Sequence, residues 1–171
     1  MPITKFFKKF KNKFYNRFNL NLKYLLTDEE MKVPVNLTYL KDRIAEVRQV
    51  INELKKLSSN PYEELTVDEK NSIRYQIIVL AEAIGSICLH IAIEDLGYEP
   101  KSYTECFAYM GSKNIVKYVD ELIKIVRLRN LLVHKYWIID DLKVYTSIKR
   151  NFDCIEELLK AVENKYGIII R

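Results

Sequence analysis

Residues 37–54 read LTYLKDRIAEVRQVINEL. Leu37, Leu40, Ile44, Val47, Ile51 and Leu54 step by three and four, which aligns them as one apolar stripe on an α-helix. The run Ser58-Ser59-Asn60-Pro61 ends that helix. Thr66-Val67-Asp68-Glu69 then has the form of a capping box, where a hydroxyl and a carboxylate satisfy the free amides of a helix start. Ile73, Ile77, Leu80, Ile84, Ile87 and Ile91 carry the same spacing onward, with Ala81 and Cys88 widening the apolar face until Gly97 and Pro100 close it.

The rest of the chain keeps this rhythm. Ser102-Tyr103-Thr104-Glu105 repeats the capping pattern and opens a short helix that stops near Gly111. Ile115, Val119, Leu122 and Val126 fall in register on a further helix running toward His134. Asp140 and Asp141 suit the positive end of the next one, which reads Tyr145, Ile148, Phe152, Ile155, Leu159, Val162 and Tyr166 up to Gly167. The spacing predicts an all-α fold: an antiparallel bundle of four long helices and one short one, occupying residues 36–171.

Composition agrees and excludes other classes. Four Gly and four Pro in 171 residues are too few turn-formers for a strand-rich sandwich or a Gly-looped nucleotide fold. Hydrophobic residues at 49% with 30% charged residues exclude general disorder. No apolar run approaches the roughly 18 residues of a membrane span, and no secretory signal opens the chain. Cys88, Cys106 and Cys154 are scattered, and with only His90 and His134 beside them they offer no zinc spacing; reduced core thiols in a cytoplasmic protein are expected, with no metal and no cofactor. His90, between apolar neighbours on the second helix, is expected at a helix–helix contact with a hydrogen-bond partner.

The net charge of +5 is unevenly spread. Residues 1–27 carry seven cations and no acid, so the remainder sums to −2 and is no DNA-coating surface. Within this N-terminal extension, residues 1–35, Phe6, Phe10, Phe14 and Phe18 recur every fourth position among lysines. Three readings stand: a helix packing on the bundle or on a second subunit, a membrane-surface helix, and an RNA-gripping arm.

The chemistry concentrates in Arg127-Leu128-Arg129-Asn130-Leu131-Leu132-Val133-His134-Lys135-Tyr136. Asn130 and His134 are four apart and share a face, whereas Arg129 and His134 are five apart, about 140° around an ideal helix. On a continuous helix Arg129 would align with Tyr136 instead. Bringing Arg129 and His134 together requires a bend or a second copy of the chain. A plain helix-end polar network of arginine, asparagine and histidine is the competing reading. Arg127 and Lys135 have two readings, cations that help hold RNA and ordinary solvated surface.

Arg129-Asn130, then His134-Lys135-Tyr136, resembles the Arg-x4-His-x-Tyr signature of HepT-type toxins in the HEPN superfamily of small helical ribonucleases. Flanking segments are similar as well: Ala81-Glu82-Ala83-Ile84 through Ala92, Ser102 through Phe107, and Ile138 through Tyr145, so that the resemblance covers about 37–166. Leu128 stands where an aromatic is common. The resemblance implies a metal-independent endoribonuclease acting as a homodimer on RNA. Arg129 and His134 would be its catalytic pair, Asn130 their polar neighbour at the RNA phosphate. It also implies a minimal nucleotidyltransferase antitoxin as partner, with Tyr136 as the acceptor of AMP. Two further classes remain beside it: a catalytically inactive HEPN binding module paired with such a nucleotidyltransferase, and a membrane-associated helical bundle using the Phe/Lys arm.

Overall fold

The computed structural model describes residues 35–150 and 152–169. The basic arm and the readings attached to it lie outside the described residues. Among those described, six α-helices and no strand occur: α1 Leu37–Leu57, α2 Val67–Glu94, α3 Tyr103–Ser112, α4 Val119–His134, α5 Asp141–Arg150 and α6 Asp153–Tyr166. Short 3-10 turns, Tyr62–Glu64 and Tyr136–Ile138, sit between α1 and α2 and between α4 and α5. The all-helical expectation is borne out.

Local chemistry sets the helix starts. Asn36 Oδ1 accepts from the Tyr39 amide at 3.0 Å and caps α1. Thr66 and Glu69 form the reciprocal box that opens α2. At α3 only half of the expected box forms: Ser102 Oγ accepts from the Glu105 amide, while the Glu105 carboxylate accepts from the Lys101 amide and the Tyr98 hydroxyl. Tyr98, from the loop after α2, thereby takes over the second acceptor. Gly167, at φ +62°, closes α6, and the Ile168 amide donates to the Glu163 carbonyl behind it.

The long α2 is the centre of the bundle and packs against α1, α3 and α4. Ile77, Ile84, Ile87 and Ile91 of its stripe are buried against Leu40, Ile44, Val47 and Leu54 of α1 and against Phe107 and Met110 of α3. Polar links tie the later helices on. Arg48 of α1 grips Glu163 of α6, and Arg74 of α2 holds both oxygens of Asp141 at 2.7 and 2.8 Å. Asp140 accepts from the Lys143 amide as an acid at a helix start should, but Asp141 has this longer-range role.

Ile115, expected on the helix that runs toward His134, lies before its first residue, Val119. Two further expectations need correction. The last helix is not continuous: α5 ends at Arg150, and Phe152 has a non-helical backbone (φ −117°, ψ 21°) before α6 begins at Asp153. Tyr145, Ile148, Phe152, Ile155, Leu159 and Val162 are all buried, so the three-and-four spacing runs through the break and hides it. Likewise α2 is long and apolar enough to cross a membrane by length and composition. Glu82 and His90 interrupt its apolar residues without lowering its mean hydropathy enough to exclude a span. More than half of its most apolar stretch is buried inside the bundle, as in a core helix.

Cys88 of α2 and Cys106 of α3 are fully buried with their sulfurs 2.6 Å apart, and burial pushes the Cys88 thiol up. Cys154 is half-buried.

His90 sits at the α1–α2 contact, its ring 4.7 Å from that of Tyr39 and its Nε2 accepting from the Asn36 amide at 3.1 Å. Burial holds this imidazole below its ordinary value, the Glu94 carboxylate acting the other way. The unfolded chain therefore takes up the proton first, and stability is full above the unfolded value and lost as pH falls. Between about pH 7.5 and 5.5 the urea midpoint should drop, and His90→Gln, an acceptor that does not titrate, should show a smaller drop. An equal drop in both proteins would remove His90 as the cause.

Candidate active site

The motif occupies the end of α4. This helix runs unbroken from Val119 to His134, and Leu122, Ile123, Val126 and Leu132 anchor its buried face. Without a bend, Arg129 and His134 stay on faces about 140° apart. Arg129 turns inward toward α2, whereas Asn130 and His134 are exposed. The chain ceases to be helical at Lys135 (φ −142°, ψ 39°), so Tyr136 lies on the following turn, and the continuous alignment of Arg129 with Tyr136 does not hold.

Arg129 is the organised member. Its Nη2 lies 2.6 Å from Glu82 Oε1, and its Nη1 donates to Asn130 Oδ1 at 3.0 Å. The second oxygen of Glu82 accepts from the Tyr103 hydroxyl at 3.1 Å. Burial, then the charge and hydrogen bond of Glu82, push the Tyr103 phenol up to about 12, so it remains a proton donor at neutral pH. Arg129, Asn130, Glu82 and Tyr103 thus form one network drawn from α2, α3 and α4. Among the described residues no hydrogen bond or ion pair links His134 to Arg129, Asn130 or Tyr136. One chain brings Arg129 and Asn130 together and leaves the imidazole apart.

Sequence reading passed over Glu82 as a site residue. A signal was present: it is the one Asp, Glu, Lys or Arg between Arg74 and Glu94. A lone charge within an apolar helix needs a partner, but the partner lies on another helix and the sequence does not name it.

Tyr136 is 59% exposed, its ring edge-on to Trp137 at 5.4 Å. Arg127 and Lys135 are exposed as well. Around them Leu131, Val133, Trp137, Ile138 and Leu142 leave apolar surface open to solvent beside the motif, more than isolated exposed residues would. Among the described residues no group of three or more His, Cys, Asp or Glu side chains gathers as metal ligands.

The family model for HepT-like ribonucleases matches residues 44–162, across all four motif positions. The chain belongs to the HepT-like ribonuclease family. No curated protein matches. Solved structures share the fold of this family member at low identity. A toxin–antitoxin structure with AMP-PNP is 18% identical, at a TM-score of 0.69 over 74% of this chain and 98% of that one. A tri-AMPylated Shewanella oneidensis HEPN toxin in complex with MNT antitoxin is 19% identical, at 0.68 over 74% and 97%. The Bacillus subtilis cytosolic protein of unknown function YutE is 18% identical, at 0.66 over 80% and 96%.

Proposed function

We propose that this HepT-like protein is the endoribonuclease toxin of a two-gene toxin–antitoxin pair, acting in the cytoplasm as a homodimer. The observation that carries the reading is the family match across 44–162, which encloses Arg129, Asn130, His134 and Tyr136. RNA supplies its own nucleophile. The 2′-oxygen attacks the adjacent phosphorus and forms a new P–O bond, the bond to the 5′-oxygen breaks, and a 2′,3′-cyclic phosphate and a 5′-hydroxyl result. The reaction needs a base for the 2′-hydroxyl proton, an acid for the departing oxygen, and positive charge on the phosphorane. Imidazole serves either proton role near neutral pH, and a guanidinium bridges two phosphoryl oxygens.

A single chain sets the Arg129 and His134 faces apart, which favours a cleft completed by a second copy. The exposed Leu131, Val133, Trp137, Ile138 and Leu142 beside the motif would supply apolar area for that pairing. Purified protein should cut RNA in the presence of EDTA, leave single-stranded DNA intact, and give cyclic-phosphate ends. Cleavage that stops on chelation and returns with a divalent ion would overturn the metal-independent mechanism.

The partner is a minimal nucleotidyltransferase. Its substrate would be the exposed Tyr136 hydroxyl, which attacks the α-phosphorus of ATP and releases pyrophosphate. The added phosphate places negative charge and bulk where RNA phosphate must sit. Co-expression with that enzyme should add one or more adenylyl masses to the intact protein and silence RNA cleavage. Tyr136→Phe should remove the adduct; one that persists in this variant excludes Tyr136 as the acceptor.

A further inference from the structure

Glu82 is the one charged residue in the stretch of α2 between Arg74 and Glu94, and it lies between Ala81 and Ala83, both buried. Its two oxygens are engaged differently: Oε2 accepts from the Tyr103 hydroxyl, while Oε1, shielded from solvent, is paired with Arg129 Nη2 by charge at 2.6 Å and takes no hydrogen bond. The Tyr103 ring occupies space that α2 leaves free at Gly85, where an added Cβ would lie 2.6 Å from the ring. Gly85 is three residues along the same helix from Glu82. Missing side chain, seated ring, hydroxyl, carboxylate and guanidinium therefore follow one another in a line across α2, α3 and α4. At the far end Asn130 takes Nη1, and Arg129 Nε is shielded from solvent without a hydrogen bond. Both terminal nitrogens of the guanidinium are thus engaged, one by Asn130 within the Arg-x4-His run and the other by Glu82 outside it.

We infer that Glu82, steadied by Tyr103 over Gly85, is the positioning residue for Arg129, fixing the guanidinium in the orientation that receives the scissile phosphate. This rests on the nuclease reading above. Glu82 does not touch RNA, and its negative charge works against phosphate binding. Its contribution is direction, which a long and flexible arginine otherwise lacks.

That opposition gives a signature that a merely structural role would not produce. Glu82→Gln removes the charge and loosens the guanidinium, so kcat should fall about 10-fold to 100-fold while KM for RNA stays level or decreases. Tyr103→Phe keeps the charge and should lower kcat by less, at unchanged KM. In an Arg129→Lys background, Glu82→Gln should cost no further kcat, because the group it orients is gone.

A readout independent of cleavage is the Arg129 Nε–H signal in a proton–nitrogen NMR spectrum, assigned by its loss in Arg129→Lys. It should be dispersed in the parent and collapse toward the free-arginine position in Glu82→Gln. An unchanged Arg129 signal in a folded Glu82→Gln overturns the inference, as does a kcat within twofold of the parent. If Glu82→Gln fails to fold, Tyr103→Phe decides by the same two measures. A parent that cuts no RNA, with the signal still lost in Glu82→Gln, sinks the nuclease reading and leaves Glu82 as the group that orients Arg129.

Discussion

His134→Ala is expected to lower RNA cleavage by about 10²-fold to 10⁴-fold, the range associated with loss of a positioned acid or base. The same variant should keep its helix content and thermal midpoint. His134 is the last residue of α4, exposed, and its side chain makes no hydrogen bond or ion pair among the described residues. Alanine is at least as good a helix former there, so the fold loses nothing it was using. The imidazole therefore has no structural duty that could confuse the outcome, and a loss of cleavage would be a loss of chemistry. Measurement of kcat and KM on a defined RNA, beside a thermal melt, separates the two. Full activity in a folded His134→Ala would remove the imidazole from the mechanism.

What the sequence made legible was local. The stripe from Leu40 to Leu54, the box at Thr66 and Glu69, and the stop at Gly167 each depend on residues within one or two turns of each other, and each appears where its spacing placed it, although Leu37, expected to begin the stripe, is exposed. The break before Asp153 was hidden because burial alone sets the stripe, and Phe152 fills its place in the core without a helical backbone. The contacts that join the helices, those of the site among them, are of another kind. Glu82 with Arg129, Tyr103 with Glu82, Arg74 with Asp141 and Cys88 with Cys106 each join different helices. Their pairing follows from how the helices pack, which spacing does not encode. The angular argument does carry over: Arg129 and His134 were expected on separate faces of a straight helix, and α4 is continuous between them.

Arg129→Ala is expected to reduce kcat by about 10²-fold to 10³-fold, the usual cost of removing one fixed donor to transition-state charge. Its effect on stability should be small. The Arg129–Glu82 pair is partly open to solvent, at 27% and 40% side-chain exposure, and such pairs contribute at most about 1 kcal/mol. Water reaches the Glu82 carboxylate once the guanidinium has gone, while Tyr103 still donates to its other oxygen. Arg129→Lys keeps the charge but not the planar fork, and should recover only part of the lost rate. Equal rates for lysine and arginine would mean that only charge matters at this position.

The variant also tests where the second half of the cleft comes from. Mixed under conditions that let subunits exchange, Arg129→Ala and His134→Ala chains form heterodimers. Each retains one guanidinium and one imidazole, on different chains. If a cleft draws the two groups from opposite copies, the mixture regains cleavage that neither variant shows alone. If each chain uses its own pair, every heterodimer has two broken sites and the mixture stays inactive, which would exclude the shared cleft.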